Sequence, residues 1–298
     1  MFVPHKPLSI MKGLNLVAII IIVAVVWSVI AILTPPHKLV VHPTMATASI
    51  CEHPEQSWFT QRVMHHPVLG IQQLVARHIT GREPHWIEFD AVGPISALAC
   101  DGHPMRVFGG DGDEAKRVCW NEDVFMRKDN ACIVFSIGSN NQFAFEEDII
   151  VNTTCSVHTF DCTVDNLTLG QVLQDAKAKR FVFHWICVGA GCGRTSLMQL
   201  IDAHGVPSYL KFDAEGAEYE TLSSFMYEAR YRLEQTGVNA FPPQIGLELH
   251  SITAQFEVSR KGLATFVDML KRVGGYELAH RRDNILGYGG SELLFVRG

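Results

Sequence analysis

Basic surplus is the first thing this 298-residue chain lacks: 25 Lys and Arg stand against 31 Asp and Glu, a formal charge of −6. Binding along a phosphate backbone calls for a basic field, so nucleic acid is not an expected partner. No Cys-x-x-Cys pair occurs either, which argues against a structural zinc site built on two such pairs. The chain also lacks the Gly-x-Gly-x-x-Gly dinucleotide fingerprint and the Gly-Lys-Ser/Thr of a phosphate loop. It is not short of apolar residues, however, and 47% hydrophobic content excludes a disordered chain and suffices for a sizeable core.

Charge is missing altogether between Leu14 and Leu33. At ~1.5 Å per residue, an apolar helix of that length crosses the roughly 30 Å of a bilayer core. A cleaved signal peptide would have a shorter apolar region closely followed by a small-residue cleavage site. Here Pro35-Pro36 follows instead, and the Ala46-x-Ala48 pattern lies well downstream. Lys6 and Lys12 precede the span and only Lys38 closely follows it, which orients the N-terminus to the cytosol. The expected organisation is a cytosolic tail at 1–13, a signal anchor at 14–33, a stalk at 34–66 and a domain at 67–298. This describes a single-pass type II membrane protein with its domain in the lumen of the Golgi or endoplasmic reticulum. Two glycosylation acceptor tripeptides, starting at Asn152 and Asn166, fit that side of the membrane.

The eight cysteines form an even set, as suits disulfides in an oxidising lumen. Cys132 and Cys187, inside apolar strand patterns, read as small buried hydrophobes instead. His37, His42, His53, His65 and His66 are scattered without helical or hairpin spacing and read as solvated stalk residues. Val68 to His78 repeats apolar residues at helical spacing. Strands at Met105 to Phe108 and Arg117 to Trp120 flank an Asp-Gly-rich turn, a hairpin signal that outweighs a calcium loop.

From about residue 130 the pattern alternates. Apolar strand runs occur at Cys132 to Ile137, Ser156 to Phe160, Phe181 to Val188, Tyr209 to Phe212 and Ile245 to Leu249, with helix-like stretches in most of the gaps. This predicts an α/β fold: a Rossmann-like, doubly wound, mostly parallel sheet. Strands near Tyr276 to Arg281 and Glu292 to Val296 form a closing hairpin that puts an antiparallel strand at the edge.

In such a sheet, ligands bind beyond the carboxyl ends of the strands where the strand order reverses. Ile137 runs into Gly138-Ser139-Asn140 there, a small and polar loop in which Ser139 or Asn140 can cap the next helix. The following strand ends at Asp161, where a carboxylate can accept from both hydroxyls of a ribose. Glu146, Glu147 and Asp148 open the helix after the loop. Their charge repels a pyrophosphate, so the phosphate-free, cationic S-adenosylmethionine fits better than NAD. The Gly-rich loop Gly189 to Gly193, with Arg194, reads as lining the site.

The segment Tyr209-Leu210-Lys211-Phe212-Asp213-Ala214-Glu215-Gly216-Ala217-Glu218 ends a strand in three carboxylates around a glycine. Such crowding shifts pKa values or holds a cation; helix capping by Asp213 or Glu215 is the structural alternative. Glu248 and His250 share one face of the next strand. Together with "VFSIGSNNQFAFEE", "VHTFD" and "IGLELH", the segment "LKFDAEGAEYETL" resembles the motif order of FkbM-type methyltransferases, and most of all the methyltransferase-like protein 24 group. The resemblance covers roughly residues 95 to 298, with the Rossmann core at about 130–298. It implies a class I methyltransferase using S-adenosylmethionine, with Gly138, Ser139 and Asn140 beside the methionine part, Asp161 on the ribose, and a hydroxyl of a small molecule or glycan as acceptor. No acidic adenine-binding residue follows the third strand, a departure from the family pattern. His250 is the first candidate for general base. Asp213 is the second, as base or as ligand to a divalent cation, and Glu215 joins them at the rim. Two alternatives stand: a catalytically silent binding module with the same fold, and a nicotinamide-dependent oxidoreductase using the Gly189 to Gly193 loop.

Overall fold

The computed structural model describes residues 92–298, apart from residues 113, 130, 177–178, 192, 251–257, 259 and 284–289. The expected anchor at 14–33, the stalk and the helix at 68–78 lie outside the described residues. Among the described residues no helix is long and apolar enough to cross a membrane.

A small antiparallel hairpin comes first, β1 (Met105–Phe108) with β2 (Lys116–Cys119). The sequence reading put the second strand one residue later. The difference matters because the earlier start brings into the strand Lys116, whose side chain lies in the interior. A short helix α1 (Glu122–Phe125) follows, capped by the Asn121 side chain. The alternating core then runs β3 (Ile133–Ile137), α2 (Ala144–Asn152), β4 (Ser156–Phe160), α3 (Gln171–Ala176), β5 (Phe181–His184), α4 (Leu197–His204), β6 (Tyr209–Phe212), α5 (Glu218–Thr236), β7 (Gln244–His250), α6 (Arg260–Arg272), β8 (Tyr276–Asp283) and β9 (Gly290–Arg297).

The seven core strands form one sheet in the order β5-β4-β3-β6-β7-β9-β8. Neighbours from β5 to β7 pair in parallel, whereas β9 is antiparallel to both β7 and β8. The expected closing hairpin is present, but with one correction. The antiparallel strand β9 is inserted one place inward, and the edge strand β8 runs parallel to the rest. Inserted there, β9 buries Leu293, Leu294 and Phe295 between two partners, as its apolar run requires.

Alternating side chains divide between two cores. Phe135, Ile137, Leu210, Phe212, Ile245 and Leu247 pack under α4, α5 and α6. Val134, Val157, Phe181, Tyr209 and Leu294 pack on the other face with the hairpin, α2 and α3. The hairpin is fastened to the sheet through Gln244, whose side chain bonds the backbone N–H and C=O of Cys119 at 2.8 and 2.9 Å. The Tyr209 hydroxyl donates to the Arg117 carbonyl at 3.0 Å.

Three disulfides close within the described residues: Cys100–Cys119, Cys132–Cys155 and Cys162–Cys187. Cys132 and Cys187 are therefore not free hydrophobes. Cys132 and Cys155 immediately precede β3 and β4, whose register pairs Ile133 with Ser156, so their Cα atoms stand 4.5 Å apart. Each is fully buried and covalently tied at once, which is why the apolar context was misleading. Cys162 and Cys187 tie the loops at the opposite, carboxyl ends of β4 and β5.

Candidate active site

The strand order reverses between β3 and β6, because the chain builds β4 and β5 on one side of β3 and then crosses to the other. Loops leaving the carboxyl ends of β3, β4, β6 and β7 therefore converge. They surround a cavity of about 350 Å³, in the range of a small-molecule site. Its lining includes Gly138, Ser139, Asn140, Asp161, Asp213, Glu215 and Glu248. One cavity thus joins all four expected donor-binding residues and two of the three expected catalytic ones.

Gly138 has φ +78°, and a Cβ there would overlap the carbonyl oxygen of Asp213. Its main physical task is to let the β3 loop cross the end of β6. Beyond it, Asn140 and Asn141 adopt left-handed conformations, φ 46° and 62°. That turn is held by Asp161: one carboxylate oxygen accepts from the Ser139 and Asn140 N–H groups at 2.8 and 2.9 Å and from Ser139 Oγ at 3.1 Å. The other accepts from the Thr163 N–H at 2.8 Å and Oγ1 at 2.7 Å. Burial alone would raise the Asp161 carboxyl; the bonds from Thr163, Ser139 and Asn140 outweigh it and hold the carboxyl at about 2. Of the five donors, the two hydroxyls are the ones whose places an incoming diol can take, since a hydroxyl rotates away freely and a backbone N–H does not.

The acidic start of α2 does not face a ligand as the sequence suggested. Glu146 is fully buried, bonded to Ser136 Oγ and 3.6 Å from Lys211 Nζ, which itself donates to the Gly138 carbonyl at 2.7 Å. Asp148 accepts from the Gly109 N–H. Neither Ser139 nor Asn140 caps α2. Its first turn is satisfied from the hairpin loop instead, where Glu114 accepts from the Ala144 N–H at 2.6 Å. The charge argument against pyrophosphate consequently loses its footing. Of the Gly-rich loop expected to line the site, the flanking Val188 and Arg194 border the cavity, whereas the described residues of Gly189 to Gly193 themselves are not part of its lining.

At the other end the three carboxylates after β6 separate. Asp213 borders the cavity, while Glu215 stands at its mouth with 83% of its side chain exposed and φ +50°. Glu218 is buried beneath, accepting from the Ala214 N–H at 2.8 Å. The N-cap of α5 is Ala217, without a side-chain bond, so neither Asp213 nor Glu215 caps the helix.

His250 is buried behind this rim and is not part of the cavity lining. Its ring nitrogens lie 3.5 Å from Glu218, 3.6 Å from Glu215 and 3.7 Å from Glu248. Burial favours the neutral ring, but Glu218, Asp213 and Glu248 outweigh it and push His250 up to about 9. An imidazolium at neutral pH has no lone pair to accept a proton, so the ring organises the carboxylates around it.

Sequence reasoning missed Lys116 and Glu292. Lys116, only 1% exposed, reaches from β2 to within 3.1 Å of Glu248 and 3.6 Å of Asp213, and it pairs closely with Glu292 of β9. These carboxylates keep its ammonium charged, with a pKa well above the ordinary range, although burial opposes it. Burial raises the Asp213 carboxyl, helped by Glu248 and opposed by Lys116 and Lys211. Glu248 is instead lowered, since Lys116 and its hydrogen-bonded neighbours overcome burial. The available signal was a charged residue leading into the apolar part of each of two strands, Lys116 before Val118 and Glu292 before Leu293. Asp213, Glu248 and His250 also bring ligand atoms within 4.8 Å of one another, close enough to hold a cation.

No curated protein sequence matches the chain. A solved structure, that of WbdD with its C-terminal bundle, is 12% identical over 55% of this chain and 31% of its own, with a TM-score of 0.33. The chain thus spans about a third of that structure, and the likeness is too slight to carry an argument. Residues 95–297, by contrast, match a single family pattern across the hairpin and the entire sheet. On that match, the chain belongs to the family described as Methyltransferase domain.

Proposed function

We propose that this protein is an S-adenosylmethionine-dependent methyltransferase acting on a hydroxyl, of the FkbM-type and methyltransferase-like protein 24 kind. The carrying observation is the division of one cavity into two chemically different ends. Gly138 to Asn140, clamped by Asp161, form one end; Asp213 and Glu248, balanced by Lys116, form the other. The donor's ribose diol would replace the hydroxyls of Ser139 and Thr163 on Asp161. Ile186 and Val188, in the lining near Asp161, supply apolar surface for the base, which compensates for the missing acidic adenine partner. The donor supplies an electrophilic methyl on sulfonium, and the chain's task is to align the acceptor with it and take up the acceptor's proton.

For that proton, Asp213 is the stronger candidate. It borders the cavity, and its raised pKa brings a carboxylate nearer the operating range of a base. His250, with Glu215, positions the rim. The acceptor is a small molecule or glycan, and a divalent cation on Asp213 would polarise its hydroxyl. The proposed placement is a membrane-anchored domain in the lumen of the Golgi or endoplasmic reticulum; the three disulfides and the exposure of Asn152 and Asn166 support an oxidising, lumenal side. The test is methyl transfer from labelled donor to pools of glycans, lipids and phenols. Asp213→Asn is expected to lower turnover at least about a hundredfold while donor affinity holds. Unchanged turnover contradicts the assignment of Asp213.

One observation favours a second reading, a catalytically silent module. Asp161 is already satisfied by its own chain, and if those bonds never yield, the cradle is structural. That reading predicts no donor binding even at millimolar concentration.

A further inference from the structure

Three histidines from three different elements meet on the face of the sheet covered by α4. His158 lies in the middle of β4, His184 ends β5 and His204 ends α4. Their ring centroids are 4.6 to 5.3 Å apart. None of them borders the cavity, from which they are separated by Phe160, stacked on His184 at 4.6 Å. We propose that His158, His184 and His204 form a binding site for a divalent transition metal of the zinc class, distinct from the cavity.

Geometry carries the proposal. Each histidine offers a ring nitrogen, and the three nitrogens lie within 4.8 Å of one another. His158 Nδ1 and His184 Nε2 are 3.1 Å apart. Around a tetrahedral ion with metal–nitrogen bonds of about 2.0–2.1 Å, ligand nitrogens stand roughly 3.3 Å apart. The first pair is already near that spacing, and the His204 nitrogen, within 4.8 Å of both, has to close in on them to complete the set.

The backbone beneath these rings is fixed. Strands β4 and β5 hold Phe160 opposite His184 and His158 opposite Val182 in a parallel ladder, so the two strand ligands need no folding of a loop to meet. Chemistry selects the ion class. Among the described residues no carboxylate forms an ion pair with any of the three, and an imidazole-only set suits zinc, copper, nickel or cobalt rather than magnesium or calcium. All three side chains are half-buried, which lets an ion enter and leaves a fourth position for water. The competing account is a simple stack of imidazoles, which needs no metal. The donors come from segments about twenty residues apart or more, so they carry no metal-ligand spacing in the sequence.

The test uses the full chain in detergent micelles, titrated with Co²⁺ and then displaced by Zn²⁺. Visible absorption bands of tetrahedral cobalt are the readout. His158→Gln, His184→Gln and His204→Gln are each expected to lose one equivalent of bound metal and the tetrahedral bands, with affinity falling at least about tenfold. Histidines of residues 37–66 are common to all variants, so their background cancels. Asp213→Asn is expected to keep the signal. Circular dichroism reports the fold of each variant, and three substitutions on separate elements prevent a fold defect in one from deciding the outcome. Wild-type protein without tetrahedral bands, or His204→Gln with wild-type stoichiometry and spectrum, overturns the proposal. Loss of the bands in Asp213→Asn alone also overturns it and assigns the metal to the acidic rim.

Discussion

Two buried charges do opposite things for the residues around them. Asp161 gathers backbone N–H groups and fixes a turn, whereas Lys116 keeps Asp213, Glu248 and Glu292 together by standing between them. Gly138 links the two ends, because its missing Cβ lets the Asp213 backbone pass across the loop that Asp161 holds. Gly138→Ala must shift one of these backbones and also keep a positive φ. We expect a loss of more than about 2 kcal/mol in urea unfolding together with weaker donor binding. A neutral outcome would mean the loop relaxes without cost.

His250 makes a pH-dependent contribution with a definite sign. Its folded pKa of about 9 lies above the ordinary 6.5. The stabilisation is therefore complete below about 6.5 and lost as pH rises through about 9. Compared with His250→Gln, wild type should be more stable at pH 6, by on the order of 3 kcal/mol at most, and the gap should close by pH 9.5. A gap that stays constant with pH contradicts the ion pairing. The expectation of His250 as a ready base rested on the residue type alone. What reversed it, Glu218 packed beneath the ring, is a neighbour that only the fold supplies.

At the scale of elements, the parallel core was legible because it obeys a simple rule: apolar runs between helical stretches. β4 and β6 match their expected bounds to the residue. β5 stops at His184, four residues before the expected end at Val188, where the Ile186 N–H turns back onto the His184 carbonyl. The place of β9 was not legible, since an apolar strand pattern does not say which neighbour it will take. Nor was Cys132 as a bridge, because burial and bonding leave the same apolar context. The Cys132–Cys155 bond closes a sequence separation of 23 residues. Its removal as a Cys132→Ser, Cys155→Ser pair should cost about 2–4 kcal/mol, seen as a lowered thermal midpoint. An unchanged midpoint would mean that strand register alone holds these strand starts in place.

Across the whole molecule, the site is a product of long-range closure. Lys116 and Glu248 are 132 residues apart in sequence, Lys116 and Glu292 are 176 apart, and no local pattern encodes such a meeting. The donor end was readable because Gly138 and Asp161 belong to consecutive strands in a known topology. The hub at the acceptor end was only half readable, because its cation arrives from a hairpin that lies outside the alternating pattern. The hairpin is thus part of the site: β2 packs on β7 and β9 and delivers the buried ammonium that stands between Asp213, Glu248 and Glu292.

The account's central claim is that the turn at Gly138 and the carboxylate of Asp161 together hold a sulfonium nucleoside. Calorimetric titration of the full chain with S-adenosylmethionine tests it most directly, with Asp161→Ala and the exposed-site control Asp202→Ala alongside. The account predicts saturable binding of one donor per chain, weakened at least about tenfold, a cost of about 1.4 kcal/mol or more, in Asp161→Ala and unchanged in Asp202→Ala. Absence of binding to the wild-type chain at millimolar donor, or equal affinity in Asp161→Ala, would contradict it.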